Sequence, residues 1–211
     1  MAGLLEFSEP GLVENLERLA PELRVVFAAA CAERLLPAYG AFSTKTGRGE
    51  PTELRTILSR LWDDLTGNRM TDDEVKAKID ACMKLIPRED EVQWVPEQGP
   101  GEDAVAAAAY AFRCRQNWLS QEAAWSARCA YEALDNYVSI SENIDWSGPD
   151  PNATALALER ILAHPVVQAE LARQRRDLEE LVIVGAGEMQ HLVGRFRDRA
   201  KAESRIYFGG P

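Results

Sequence analysis

With 211 residues, 46% of them hydrophobic and 27% charged, the chain has material for one sizeable core and too little for two comfortable domains. A formal charge of −10 argues against nucleic acid or an anionic membrane as a main partner, since both would be repelled, and suits a basic protein instead. Four widely spaced cysteines, Cys31, Cys82, Cys114 and Cys129, with no C-x-x-C among them, argue against a zinc site or a redox pair.

Apolar residues recur at helical spacing almost from the start. Leu12, Val13, Leu16 and Leu19 mark a first helix with Ser8 as its cap, and Pro21 suits the first turn of a second that runs through Val26, Phe27 and Ala30. Pro37 is expected to bend or break that helix, leaving a short segment with Tyr39 and Phe42. After the polar loop 43–50, Pro51 opens a third helix striped by Leu54, Ile57, Leu58, Leu61, Trp62 and Leu65, and Gly67 ends it. Thr71 and Glu74 form a T-x-x-E capping box ahead of Val75, Ile79, Cys82, Met83 and Ile86.

Residues 87–103 read as irregular. An alanine-rich helix is expected over 103–117, then one capped by Ser120 and reaching about Ser139. A second acidic loop precedes a helix capped by Asn152, and Pro165 starts the last long helical stretch. No strand alternation appears, although 205–208 could be extended. The expectation is an all-α, single-domain antiparallel bundle of about seven to nine helices over 1–211. The N-terminal residues have neither a basic start nor a long apolar run, so no signal peptide is expected. The longest apolar run, Ala104 to Phe112, falls well short of the roughly 20 residues that a membrane helix needs. A cytoplasmic protein with reduced, buried thiols follows.

Residues 181–194, LVIVGAGEMQHLVG, raise the question of chemistry. Gly185-x-Gly187 evokes a dinucleotide turn, but the third glycine of G-x-G-x-x-G is replaced by Gln190 and no βαβ unit surrounds it. Leu178, Leu181, Val182, Gly185, Met189, Leu192, Val193 and Phe196 step by three or four, which predicts one helix straight through the glycines. Glu188 and His191 share a helix face, as in E-x-x-H metal sites, yet a di-iron bundle needs two such motifs and two further carboxylates. No cofactor is expected. Adjacent acids such as Asp63–Asp64 and Glu179–Glu180 read as surface charge rather than acid/base pairs.

The segment F-A-A-A-C-A-E-R-L-L-P-A-Y-G-A-F (27–42), then Thr46-Gly47-x-Gly49, then Arg55, Ile57, Leu58, Trp62, Leu65 and Thr66 together resemble the YjaG-like family of bacterial domains of unknown function. Weaker similarity appears at 164–170 and near the end. The resemblance implies a compact helical protein and supplies no reaction. Within it, Glu33 and Arg34 are neighbours that point apart, so each is expected to brace the segment against another helix or the 43–50 loop, or to form a ligand site.

Charge is uneven. From Glu89 to Phe112 there are six acids and no lysine or arginine, and the same holds from Cys129 to Glu159. Each window sets a tryptophan in a loop. Glu89, Asp90, Glu91 and Trp94, with Glu142, Asp145 and Trp146, are therefore the candidate partner-binding residues, the acids steering a basic partner and each tryptophan anchoring it. The late arginines, Arg173, Arg175, Arg176, Arg195, Arg197 and Arg199 among them, read as a mixed helix surface. The functional expectation is a non-enzymatic interaction module, of the immunity or inhibitor kind, for a basic toxin or enzyme. The alternatives are a metal-dependent bundle enzyme using Glu188 and His191, or a self-associating scaffold in which the alanine-rich helix is the contact.

Overall fold

The computed structural model describes residues 3–87, 94–144, 151–183 and 189–204. Among these there are nine helices and no strand: α1 (Glu9–Glu17), α2 (Pro21–Thr46), α3 (Pro51–Leu65), α4 (Asp72–Leu85), α5 (Gln98–Asn117), α6 (Ser120–Ser141), α7 (Pro151–Ala163), α8 (Pro165–Ile183) and α9 (Met189–Ser204). The fold is an all-α bundle.

Local chemistry explains the starts of the first four helices. The Ser8 hydroxyl accepts from the Gly11 N–H at 3.3 Å, and Thr71 and Glu74 complete the capping box in both directions. Prolines occupy the first turns of α2 and α3, where a missing N–H costs nothing. Gly47 closes α2 in the left-handed conformation at φ 69°, the position where lack of a Cβ is an advantage. Ser120 departs from expectation. It lies inside the first turn of α6, its buried hydroxyl does not cap, and the Asn117 side chain instead accepts from Leu119 N–H. Asn152 likewise sits inside α7, which starts one residue earlier at Pro151.

Helix α2 is the axis of the bundle and packs against α3, α5, α6, α8 and α9. Pro37 does not break it: α2 continues for 26 residues with Leu35, Leu36, Ala38 and Tyr39 all buried around the proline. The backbone hydrogen bond lost at Pro37 is outweighed by apolar burial on every side. Among the described residues α2 alone is long and apolar enough to cross a membrane, but 83% of its most apolar window is buried inside the protein.

The alanine-rich helix packs much of its small-residue face into the interior. Ala104, Ala107, Ala108 and Ala111 of α5 are fully buried, as are Ala123, Ala124 and Ala127 of α6, and both helices pack on α2, whose Ala28–Ala32 stretch is buried too. Small side chains let the three backbones approach. Ser126 is the polar link, its hydroxyl lying 3.0 Å from the Ala28 carbonyl and 3.1 Å from that of Ala107.

One expected helix is two. Helix α8 ends at Ile183 and α9 begins at Met189, and they run antiparallel: Arg199 meets Asp177 at 3.0 Å and Arg195 meets Glu180 at 2.5 Å. A continuous helix would hold the first pair about 33 Å apart at 1.5 Å per residue. The apolar stripe read through because Leu181 of α8 and Leu192, Val193 and Phe196 of α9 are buried in the same core, although Val182 of that stripe is exposed. Gly185 and Gly187 lie outside the described residues.

Candidate functional site

Two charged assemblies stand out, one open to solvent and one sealed. The open one is the outer face of α5 and α6. The two helices touch here: a Cβ at Gly99 of α5 would meet the side-chain amide of Asn136 of α6, which would have to swing aside. The two acid-only windows meet here. Asp103 of α5 is pushed up to about 7, first by burial and then by the like charges of Glu132 and Glu102, with Arg128 opposing. Asp135 is raised for the same two reasons, burial and Glu132. Arg128 is drawn to Glu132 at 2.7 Å and to Glu9 at 3.5 Å, so the nearby cation is already engaged by acids.

Two helical turns beyond Asp103 on α5, Tyr110 meets Trp125 of α6 with ring centroids 5.3 Å apart, and the Arg113 guanidinium lies 5.6 Å from the Tyr110 ring. Arg113 also pairs with Glu122 at 3.1 Å. Leu119, in the α5–α6 turn, is exposed. The face thus joins an acidic end to an aromatic and arginine end, the residue types that dominate binding energy at protein contacts.

The sealed assembly surrounds Arg34. Its guanidinium, 1% exposed, donates two bonds to Glu170 at 2.9 and 3.0 Å and a third to Asp177 at 2.9 Å. Burial opposes the charge, and Glu170 leads the groups that overcome it, holding Arg34 above its ordinary value. Arg176 and Arg199 bind the other oxygen of Asp177, at 2.9 and 3.0 Å, and Arg176 also reaches Glu203 at 2.8 Å. This network ties α2 to α8 and α9. Next door, Glu33 points the opposite way and accepts from the Trp62 indole N–H at 2.9 Å, tying α2 to α3. Burial raises the Glu33 carboxyl and the Trp62 bond partly offsets it. A third buried pair, Asp64 with Arg115 at 2.6 Å, joins α3 to α5, and Asp64 also accepts from Met70 N–H.

The family model described as "Protein of unknown function (DUF416)" matches residues 11–204. The chain belongs to the DUF416 family. A crystal structure of a DUF416 family protein from Shewanella baltica OS155 superposes with a TM-score of 0.74 at 21% identity, covering 94% of this chain and 97% of that one. At that identity the likeness speaks for the fold. No curated protein matches. These findings replace the YjaG-like resemblance: both the family model and the solved structure are of DUF416, and nothing in them supports a YjaG-like family.

In this DUF416 chain the candidate partner residues fall in different settings. Trp94 is 69% exposed, and Glu142 at the end of α6 is paired with Arg160 of α7. Glu89, Asp90, Glu91, Asp145 and Trp146 lie outside the described residues. So does Glu188, while His191 is exposed on α9. Among the described residues no group of three or more His, Cys, Asp or Glu side chains is placed to hold a metal ion. All four cysteines are free and buried, and burial pushes the Cys82 and Cys114 thiols up to about 12. Asp64, read as surface charge, is fully buried, and the late arginines Arg173, Arg176 and Arg199 close over the Arg34 centre rather than forming a plain outer surface.

Sequence reasoning passed over Tyr110, Arg113 and Trp125, and chose loop acids over the helical Asp103 and Glu132. It also missed Glu170, Gln174 and Asp177. A signal for these three existed: they sit among Val167, Leu171, Leu178 and Leu181 at three- and four-residue steps, which puts polar groups on a core-facing stripe.

Proposed function

We propose that this DUF416 chain is a non-enzymatic binding module for a basic protein, engaged through the outer face of α5 and α6. The observation that carries this reading is the meeting of Asp103 with Glu132 and Glu102, three acids from two acid-only windows, where burial first and those like charges second lift the Asp103 carboxyl to about 7. Like charges pressed together store repulsion that a cationic side chain from a partner would relieve. The neighbouring Tyr110–Trp125 pair would supply the anchor. A basic toxin or enzyme, neutralised as by an immunity protein, is the partner class this chemistry fits.

The test starts from cross-linking in the native host, with each captured protein then purified and titrated calorimetrically at low and high salt. Binding to a basic protein that weakens with salt and is lost in Glu132→Lys/Asp135→Lys supports the reading. A captured set with no basic member, or binding indifferent to that double reversal, rejects it.

A further inference from the structure

A groove of about 410 Å³ lies between the N-terminal segment with α1 on one side and α8 on the other. That volume is within the range of small-molecule sites, roughly 300–1,000 Å³. Its apolar walls include Leu5, Phe7 and Leu12 from the N-terminal side and Leu171, Leu178 and Val182 from α8. The wall is pinned in place. The Gln168 side chain bonds both the N–H and the carbonyl of Leu5 at 2.9 Å, and Phe7 stacks on Tyr131 with centroids 5.2 Å apart. The cavity is thus preformed rather than a gap between loose segments.

One polar residue belongs to this wall from within. Gln174 is 4% exposed, and its amide nitrogen donates to the Ala127 carbonyl at 3.0 Å and to Glu170 at 3.1 Å. Those two bonds fix the amide, and the other end, the carbonyl oxygen, has no donor among the described residues. That oxygen is not sealed from solvent, so on the groove wall it is an acceptor that a ligand's donor can reach. At the mouth, Arg175 is already paired with Glu179 at 2.8 Å, and Glu6 adds a second carboxylate. An anionic head group would meet two carboxylates and an occupied guanidinium.

We infer that the α1–α8 groove binds a small amphipathic molecule with an apolar body and an uncharged hydrogen-bond donor, a hydroxyl or amide N–H, which the Gln174 carbonyl accepts. The inference stands apart from the acidic face and does not depend on it.

The neutral amine dye N-phenyl-1-naphthylamine is the probe, titrated by fluorescence into the full chain and displaced with decanol, decanamide, decanoate and decane. Saturable binding of one dye per chain is expected, with decanol and decanamide displacing it better than decanoate or decane by about tenfold, the worth of one hydrogen bond. Val182→Trp, at the exposed rim, should weaken all of them. Gln174→Met should erase the advantage of alcohol and amide over decane while dye binding persists. Should Gln174→Met disturb folding, the Val182→Trp result and the ligand ranking decide alone. Absence of saturable binding, a ranking with decanoate first, binding untouched by Val182→Trp, or dye release on forming a dimer or on adding a peptide would each overturn the inference.

Discussion

Arg34 and Glu170 stand 136 positions apart in the chain and meet inside the protein as a two-armed ion pair at 2.9 and 3.0 Å. Neither side chain is more than 1% exposed. A charge sealed this deeply is tolerable only because its partners are complete. Arg34→Met removes the centre and leaves the buried Glu170 without the Arg34 guanidinium, while Asp177 keeps Arg176 and Arg199. The expected loss is about 3–5 kcal/mol of unfolding free energy, read from urea midpoints. A loss below about 1 kcal/mol would mean that water reaches the centre.

Asp103 makes stability depend on pH in a defined direction. Its carboxyl titrates at about 7 in the folded chain against an ordinary 3.8. Between those values the folded state keeps a proton that the unfolded state has released, so this group's contribution is full below the lower value and falls as pH rises to the upper one. Asp103→Asn abolishes that slope. Above neutrality the variant should be more stable than the parent by about 1–2 kcal/mol, allowing for partial solvent screening, and the gap should close in acid. Thermal unfolding across pH measures it, and a parent that gains stability from this residue with rising pH contradicts the assignment.

Two helical glycines should respond oppositely to alanine. At Gly194 of α9 a new Cβ meets nothing within 4 Å, so Gly194→Ala should stabilise by about 0.5–1 kcal/mol through backbone entropy. At Gly101 of α5 the same Cβ would lie 3.0 Å from the Cβ of Phe42, an atom close to the α2 backbone that cannot swing aside. Gly101→Ala should therefore be a net loss, on the order of 1 kcal/mol after the helix-propensity gain. Equal effects from both would show that α5 and α2 can part to admit a methyl group.

Trp94 provides the control for any binding experiment. At 69% exposed it contributes little burial, so Trp94→Ala should shift the unfolding free energy by no more than about 0.5 kcal/mol. A larger loss would mark Trp94 as a packing residue, and its effect on association would then be indirect.

Much of the architecture was legible along the chain because its determinants lie within one or two turns of each other. Ser8 with Gly11, Thr71 with Glu74, and the prolines at 21 and 51 each act through bonds to residues at most four away, so spacing alone reveals them. Helical periodicity is equally local, and it yielded the all-α class. The same locality misled at 178–196, where two helices sharing one core carry a single unbroken phase, and at Pro37, whose local preference is overridden by burial around it.

What only the tertiary structure decided is who faces whom. Nothing near Arg34 in sequence points to Glu170 or Asp177, and nothing near Asp103 points to Glu132, because these neighbours are set by how α2, α5, α6, α8 and α9 pack. Amphipathic stripes specify that a helix has an inner side, while the identity of the helix opposite depends on side-chain fit summed over the whole core. Charges that are adjacent in space and remote in the chain therefore became visible only once the bundle was assembled.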